Sequence, residues 1–516
     1  MKYIDKIDRH SKRKSCFSNG SAGAYPSART MLSVLMSSSL MLSACGRSGQ
    51  DDVLVASVIG APPRFVDPDR VALNNNNAQL MRATRQGLVA IDGNGQIEPA
   101  LAESWTFTKD GLSAIFRIRR LRWASGGEVT GDQVAESLNR AIAENSRNTL
   151  KPLLTAIETV VGMTDRVVEI RLKVPRPNLL ELLAQPELAI RHAGSGTGPW
   201  EATAAGDGAI TLHPMKEADD PETDEVIVPP IARVVLRGEH ASLAVARFMA
   251  QRGRFVTGGT LGDWPLVQVA QLRSNVIRVD PADGLLGLAS NPKQTAMKDA
   301  GLRMALSMAI DRDALVAGLG VPRWSATDRL LPAQMDSAQP PASPSWSMAK
   351  LDDRRMEGRR RVAAWVAAHG ALPVLRVALP DGPGMKILFA HLASDWRSIG
   401  VDMVRVPMAA TDADLRLIDE VAPNASANWY LTRTGCDAGL PCNKGVDAAL
   451  KASRAAPDLG QRSIGIATAD AAAANDAAYI PLGRPVRWSL VDPALTGFHE
   501  NSFAVHPLSE LRLPRN

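Results

Sequence analysis

The chain has 516 residues, of which 45% are hydrophobic, 22% charged and 4% aromatic. This is a globular composition; it excludes a collagen-like or wholly disordered chain, and the length predicts about two to four domains. Residues 1–44 hold seven of the 59 Lys/Arg and two of the 54 Asp/Glu. The remaining chain carries 52 of each, which excludes a general basic field for nucleic acid.

Residues 1–44 have the order of an export signal. A basic region ends at Arg29, a short apolar core follows over 31–42, and Leu42-Ser43-Ala44-Cys45 closes it. The core is too short to span a bilayer and is typical of a signal peptide. The closing run resembles a bacterial lipobox, so we expect Cys45 to carry the lipid anchor; a plain signal peptide with a chance cysteine is the alternative. No apolar run of roughly 20 residues occurs after residue 50.

The first half of the body alternates predicted strands and helices. A strand is predicted over 52–59, a polar run of four asparagines follows at 74–77, and a helix is predicted over 79–90. A hairpin is predicted with strands 105–108 and 113–119 around a Lys-Asp-Gly turn. Thr130 and Gln133 form a capping box, which predicts a helix to about residue 144. A strand over 166–173 ends at Pro175 and Pro177, and a short helix follows over 178–183.

The second half continues the alternation. Strands are predicted at 226–237, 275–279 and 480–491, helices at 300–310, 312–317 and 461–478, and a strand-helix-strand unit at 374–379, 384–399 and 401–406. Asp311 is placed to cap the second of two adjacent helices. A Pro-rich surface loop is predicted over 332–348. The pattern predicts an α/β protein, whose ligands lie in crevices between domains or at strand ends.

Two cysteines of the body flank a short loop. Cys436 and Cys442 are separated by five residues that include Gly439 and Pro441. In an exported protein, such a pair favours a disulfide. A thiolate metal site would need more ligands and no histidine lies near, so we expect neither a metal nor a cofactor.

Enzyme motifs are weak in this chain. Ser-x-x-Lys occurs at 290–293 and 347–350 without its partner motifs, and neither Gly-x-Ser-x-Gly nor His-Glu-x-x-His occurs. We therefore predict no enzymatic activity, and an exported hydrolase stays a lesser alternative.

Several short runs in a constant order carry a family resemblance. They are Asp67-Pro68, Gln86–Val89, Pro99–Trp105, Phe116–Arg119, Trp123–Val134, Gly196–Trp200, Leu302–Arg312 and Leu392–Val401. With these runs the chain resembles the family 5 extracellular solute-binding proteins, the oligopeptide-, dipeptide- and nickel-binding lipoproteins of ABC importers. The resemblance covers roughly residues 53–490.

The resemblance implies a two-lobed periplasmic-binding-protein fold of type II, the Venus-flytrap fold, with an extra domain inserted in the first lobe. Lobe one would use 50–78, 194–280 and 478–516, the inserted domain 79–193, and lobe two 281–477. It also implies a periplasmic monomer, lipid-anchored to the inner or outer membrane, which captures a small solute, above all a peptide. Its partners would be an ABC permease and ATPase; a ligand-sensing lipoprotein on the same fold is the rival interpretation.

By resemblance, ligand contacts come from three places: residues 72–77, the region of Gly196–Trp200, and residues 428–442. The candidates are Asn74, Asn75, Asn76, Asn77, Trp200, Trp429, Tyr430, Arg433 and Asp437. The asparagines either bind the ligand or form a polar turn, and Trp429 and Tyr430 either stack on the ligand or belong to the core. The family's usual acidic-aromatic pattern is absent here. Asp437 is therefore a candidate partner for a peptide ammonium, and Arg433 for a carboxylate.

Overall fold

The computed structural model describes residues 53–215 and 231–514. The predicted signal peptide, Cys45 and residues 226–230 of a predicted strand lie outside these residues. Within them, three bodies each carry a β-sheet. We call them the seven-stranded body, the inserted body and the five-stranded body.

The seven-stranded body is assembled from distant parts of the chain. Its strands, in spatial order, are Ile277–Asp280, Arg487–Val491, Phe255–Gly259, Val53–Ile59, Arg233–Glu239, Ile210–Pro214 and Trp200–Ala204. Val53–Ile59 is parallel to both of its neighbours and the remaining pairs are antiparallel. A strand enclosed on both sides needs apolar side chains on both faces. The run VLVASVI supplies them, and four of its seven residues are buried.

The inserted body lies in the chain between Val53–Ile59 and Trp200–Ala204. Its antiparallel strands, in spatial order, are Ala102–Phe107, Ser113–Ile118, Val167–Leu172 and Ile157–Thr164. A small hairpin of Val89–Ile91 and Ile97–Pro99 precedes them. An apolar core of its own, drawn from residues 88–190, packs between this sheet and the helix Gly131–Ile142. It is therefore an insertion in the chain of the seven-stranded body, with an apolar core of its own.

The five-stranded body contains most of the C-terminal half. Its strands, in spatial order, are Met403–Val406, Leu375–Ala378, Leu415–Val421, Gly284–Ser290 and Tyr479–Gly483. The Pro-rich stretch 332–348 has no helix or strand, as predicted. It is held by backbone donors: the amides of Ala342 and Ser345 donate to the side chains of Asp470 and Asn475.

Two short connectors join the seven-stranded and five-stranded bodies side by side. Residues 281–283 lead from Ile277–Asp280 into Gly284–Ser290, and residues 484–486 lead back from Tyr479–Gly483 into Arg487–Val491. Asp283 and Arg484, one on each connector, form an ion pair. The range 478–516 assigned to lobe one therefore begins too early, because Tyr479–Gly483 pairs with Gly284–Ser290 in the five-stranded sheet.

The α-helices of the described residues are Asn75–Thr84, Gly131–Ile142, Leu179–Leu183, Ala241–Met249, Trp264–Val269, Thr295–Lys298, Ala300–Ala309, Arg312–Leu319, Leu351–His369, Pro383–Arg397, Ala427–Arg433, Lys444–Ala455 and Leu459–Ala474. Short 3-10 helices occur at Lys151–Leu153, Pro186–Leu188, Ser274–Val276 and Cys436–Ala438. No helix of the described ranges combines the length and apolarity that a membrane span requires.

The predicted caps and hairpin are confirmed. Thr130 Oγ1 accepts from the amide of Gln133, whose side chain accepts from the amide of Thr130. Asp311 accepts from the amide of Ala314 at 3.0 Å and begins Arg312–Leu319.

Apart from shifts of a few residues at the ends of other elements, two predicted elements differ in type or number. The helix predicted over 79–90 begins earlier and ends at Thr84, and Val89–Ile91 is a strand that pairs across the turn with Ile97–Pro99. The strand predicted over 480–491 is two strands, interrupted at 484–486 around Pro485.

Candidate functional site

A pocket with a cavity volume of about 30 Å³ lies between the inserted body and the five-stranded body. We call it the inter-domain pocket. The inserted body contributes Leu153, Leu154, Ala156, Ile157, Arg176, Pro177, Asn178, Leu179 and Leu182, and the five-stranded body contributes Asn424, Ser426, Asn428, Trp429 and Arg462. Pockets between domains are common places for small ligands to bind.

Local sequence places the charged side chains at this pocket. Arg176 lies between Pro175 and Pro177, which end a sheet strand and keep the backbone extended before the helix Leu179–Leu183. Arg462 lies in the first turn of Leu459–Ala474, whose cap Asp458 accepts from the amide of Gln461 at 2.8 Å. The helix begins there because the cap satisfies one of its free backbone donors.

Three arginines lie around the pocket, and two of them pair with carboxylates. Arg462 Nη2 donates to Asp336 Oδ2 at 3.1 Å, and Arg454 Nη1 donates to Asp437 Oδ2 at 2.9 Å. Arg176 has no ion-pair partner among the described residues. Burial, together with repulsion from Arg462 and Arg454, lowers the pKa of Arg176 to about 10.

Polar atoms at the pocket are left without partners. In the structure's described residues, Arg462 Nε and Nη1, Arg176 Nε and Asn424 Oδ1 are buried without a hydrogen bond. Arg462 and Asn424 are only 6% and 5% exposed. A buried donor or acceptor without a partner costs about 1–3 kcal/mol, and more when it is charged.

Three hydrogen bonds close the pocket on one side. Asn178 and Gln185 donate to the carbonyls of Ala425 and Pro423 at 3.3 and 2.8 Å. Glu181 accepts from the amide of Ala425 at 2.6 Å. We call the residues 423–425 the clasped loop. The helix Leu179–Leu183 therefore holds the inserted body against the loop that follows the strand Leu415–Val421.

The predicted asparagines have structural partners. Asn74 caps the helix Asn75–Thr84 by accepting from the amide of Asn77 at 2.9 Å, and Asn75 is exposed. Asn76 donates to the carbonyl of Val58 at 3.0 Å, and Asn77 accepts from the amide of Arg64 at 2.8 Å. Residues 74–77 are a helix start rather than a loop, and their ligand contacts stay a prediction.

Of the aromatic candidates, one lies at the pocket. Trp429 lines it and meets the ring of Tyr430 edge-on, with centroids 4.8 Å apart. Tyr430 is fully buried in the core of the five-stranded body, where burial raises the pKa of its hydroxyl. Trp200 lies in the core of the seven-stranded body. The structure therefore brings only Trp429 of these three to the pocket wall.

Both charged candidates, Arg433 and Asp437, bind other side chains of this protein. Arg433 donates through Nε and Nη2 to both carboxylate oxygens of Glu420, at 2.8 and 2.5 Å. Asp437 accepts from Arg454 at 2.9 Å. No hydrogen bond or ion pair between described residues links Arg433 or Asp437 to the asparagine run. Their ligand contacts stay predictions.

Cys436 and Cys442 are joined by a disulfide, with their Cα atoms 4.9 Å apart. The two sulfur atoms and a carboxylate oxygen of Asp447 lie within 4.8 Å of one another. A cysteine binds a metal as its thiolate, and the disulfide offers no thiolate.

A second pocket, with a cavity volume of about 40 Å³, lies inside the five-stranded body, and its lining includes Asp328, Asp447 and Asp476. Its acids are partly engaged: Asp476 pairs with Arg303 at 2.9 Å, and Ser347 donates to Asp328 at 2.5 Å. It does not bridge two bodies, so closure of the domains would not form or open it.

Sequence reasoning missed Arg176, Arg462 and Asn424. The signal for Arg176 was an arginine enclosed by two prolines, and for Arg462 a cation at the start of an Ala-rich helix. Neither pattern shows that the two residues, distant in the chain, share one pocket.

Known proteins resemble this chain in sequence. The model of the bacterial extracellular solute-binding proteins, family 5 Middle, matches residues 96–440. The probable deoxycholate-binding periplasmic protein YgiS of Escherichia coli is 24% identical over 324 residues, 56% of this chain and 60% of that protein. The match thus spans about 60% of the curated relative.

Solved structures share the whole architecture. The murein tripeptide binding protein MppA of Escherichia coli has a TM-score of 0.78 at 18% identity, covering 90% of this chain and 99% of that one. MoaA of A. tumefaciens R10, solved with mannopinic acid, has a TM-score of 0.73 at 20% identity, covering 90% and 100%. These likenesses show a two-lobed type II periplasmic-binding-protein fold with an inserted domain. The chain belongs to the family 5 extracellular solute-binding proteins of ABC importers.

Proposed function

We propose that this chain captures a small solute, above all a peptide, and delivers it to a membrane permease. The inter-domain pocket carries the proposal. Its walls come from two bodies, and its buried guanidinium groups have donors to spare. Such a pocket is complete only when the bodies are closed, so a ligand that contacts both walls favours the closed state.

The lobes of the proposed receptor follow the sheets. We keep 194–280 for lobe one and extend its first part from 50–78 to residue 84, because Leu80 and Ala83 pack in the core of the seven-stranded body; the inserted domain follows up to 193. Lobe two becomes 281–483, and the last part of lobe one begins at 487, after the crossing at 484–486. The two connectors would be the hinge, because they are the short links between the seven-stranded and five-stranded bodies. A few residues that absorb the backbone rotation suffice for such a motion.

The names of similar proteins support a solute with a carboxylate. Deoxycholate, a murein tripeptide and mannopinic acid differ in size and shape, and each carries an acid group. Among these classes we favour a peptide. An affinity near micromolar would correspond to about −8 kcal/mol.

We also propose that the mature chain is a lipid-anchored monomer in the periplasm, with Cys45 as the acylated residue. More than one acyl chain gives stable attachment to a membrane. Labelled palmitate should enter the wild-type chain and not Cys45→Ala. Equal labelling of both would contradict the anchor.

Native mass spectrometry of residues 46–516, purified without denaturation, tests the receptor role. A bound mass of a few hundred daltons that is released on denaturation is expected. If no solute is retained and peptide pools give no thermal shift, the proposal fails, because a ligand at 100 times its dissociation constant adds about 2.7 kcal/mol of stability.

A further inference from the structure

One short loop of the five-stranded body brings two sulfur atoms and a carboxylate to the same place. Cys436 begins a short 3-10 helix, and Gly439, with a φ of 76°, turns the chain towards Cys442. The helix Lys444–Ala455 follows at once and carries Asp447 in its first turn. Local structure therefore holds the three side chains together, and none of them lines the inter-domain pocket.

Asp447 is a carboxylate without a paired cation. No ion pair between described residues includes it, and its Oδ2 lies 2.6 Å from Sγ of Cys436. In the disulfide this sulfur carries no hydrogen that it could donate. Burial, and then repulsion from the charge of Asp437, raises the pKa of Asp447. A positive charge between the sulfur and the oxygen would make this contact favourable.

We propose that reduction of the disulfide turns this loop into a site for a thiophilic divalent cation such as Zn²⁺, bound by the thiolates of Cys436 and Cys442 and the carboxylate of Asp447. Thiolates with one carboxylate suit zinc, whereas Mg²⁺ and Ca²⁺ prefer oxygen ligands alone. The inference goes beyond the proposed function, because the site takes no part in solute capture.

The three ligand atoms are close enough to share one ion. Zinc binds sulfur at about 2.3 Å and oxygen at about 2.0–2.2 Å, so ligand atoms on one tetrahedral zinc are about 3.5–4 Å apart. The two sulfur atoms and the carboxylate oxygen lie within 4.8 Å of one another. Rotation of the side chains is therefore enough to form the site once the two sulfur atoms are no longer bonded to each other.

Water can supply a fourth ligand. Asp447 also lines the second pocket, whose cavity volume of about 40 Å³ exceeds the roughly 10–15 Å³ that one water needs. Asn443 and Asp476 line the same pocket and offer polar atoms to such a water. Zinc with three protein ligands and one water is an established arrangement.

A dithiol reductant makes the site by thiol–disulfide exchange. One thiolate of the reductant attacks Sγ of Cys442, which is exposed, and releases Cys436 as a thiolate. The second thiol of the reductant then displaces Cys442, so that two electrons have passed to the pair and the reductant has become a disulfide. Zinc replaces the protons of the two resulting thiols, and both protons pass to solvent.

The test measures Zn²⁺ binding by the full chain in mild detergent, either oxidised or reduced with a phosphine. The reduced wild type should bind one Zn²⁺ more per chain than the reduced double variant Cys436→Ser/Cys442→Ser. That variant keeps Cys16 and Cys45 and therefore gives the background. The oxidised wild type should bind at least 100-fold more weakly than the reduced one. Calorimetry gives the affinities, and Co²⁺ in place of Zn²⁺ shows thiolate ligation by its sulfur-to-metal charge-transfer absorption.

Asp447→Asn tests the carboxylate and keeps the disulfide, so it does not depend on the fold of the serine variants. It should weaken Zn²⁺ binding by the reduced chain at least tenfold, and the cobalt–thiolate absorption should remain at saturating Co²⁺. Asp412→Asn is the control, because Asp412 is an exposed carboxylate of the same body that pairs with Arg376. It should leave the affinity unchanged.

Equal Zn²⁺ affinity in the oxidised and reduced wild type, or in the reduced wild type and the double variant, would overturn the inference. An unchanged affinity in Asp447→Asn would also overturn it, since the third ligand would be wrong. Circular dichroism checks the fold of the reduced chain. A reduced chain that loses its structure, and that Zn²⁺ does not restore, would contradict the inference as well.

Discussion

Asp470 is a carboxyl group whose ionisation opposes folding. It is 2% exposed, and burial raises its pKa to about 6, although the amide of Ala342 donates to it at 2.7 Å. The unfolded chain releases this proton at a lower pH than the folded chain does. The folded state therefore binds more protons between about pH 4 and pH 6, and stability falls as the pH rises through that range.

Asp470→Asn should remove this loss of stability with rising pH. We expect the variant to be more stable than wild type at pH 7 by about 1–3 kcal/mol, since each pKa unit corresponds to about 1.4 kcal/mol. The two chains should converge near pH 4. Urea unfolding at pH 4, 5, 6 and 7 measures the difference. Asp402→Asn, at an exposed carboxylate, is the control, and parallel pH profiles for wild type and Asp470→Asn would contradict the assignment.

Arg433 and Arg462 illustrate why residue roles were hard to predict. Both are arginines near the ends of helices, and their neighbours in sequence do not separate them. Only the fold brings Glu420, on the strand Leu415–Val421, to Arg433, and leaves Arg462 with free donors. Arg433→Ala should consequently change the affinity for the solute much less than Arg462→Gln does, and calorimetry with one identified solute measures both.

At the scale of elements, caps were predictable because they are local. The side chain and the backbone amide that meet are about three residues apart, so the chain needs no distant contact to form them. Asp311 shows this, with its carboxylate 3.0 Å from the amide of Ala314.

Asp311→Ala should destabilise the folded chain by about 1 kcal/mol, because the amide of Ala314 loses its acceptor at the start of Arg312–Leu319. Asp313→Ala, in the first turn of the same helix, is the matched control and should cost less. Chemical denaturation of the three chains side by side measures this. An equal loss in both variants would mean that general electrostatics of the helix end, and not the cap, is responsible.

The segment after Thr84 was predicted to be helical and is not. The apolar residues of this segment fit the repeat of a helix as well as that of a strand. A short apolar run does not distinguish the two. Val89–Ile91 is a strand because it pairs with Ile97–Pro99 across the Asp92–Gly95 turn.

At the scale of the whole molecule, the clasped loop couples the inserted body to the five-stranded body. Glu181 accepts from the amide of Ala425 at 2.6 Å, next to the bonds from Asn178 and Gln185. Hydrogen bonds to a charged group contribute about 1.5–3 kcal/mol. These contacts exist only while the two bodies are together.

Glu181→Ala should therefore shift the chain towards an open form. We expect about a tenfold or greater loss of solute affinity, mainly through faster dissociation, and a larger radius of gyration without ligand. Small-angle scattering and stopped-flow kinetics measure these. Glu158→Ala is the control, because Glu158 is exposed on the same body; a Glu181→Ala chain with unchanged kinetics would show that the clasped loop does not control closure.

The sequence by itself determined the local features of this protein: the alternation of strands and helices, the caps at Thr130 and Asp311, and the family. These depend on short spacings and on the order of motifs along the chain. The tertiary structure alone decided which residues share a pocket. Arg176 and Arg462 are far apart in the chain, and whether a guanidinium is paired or free depends on groups that only the packing of separate bodies brings within hydrogen-bond distance.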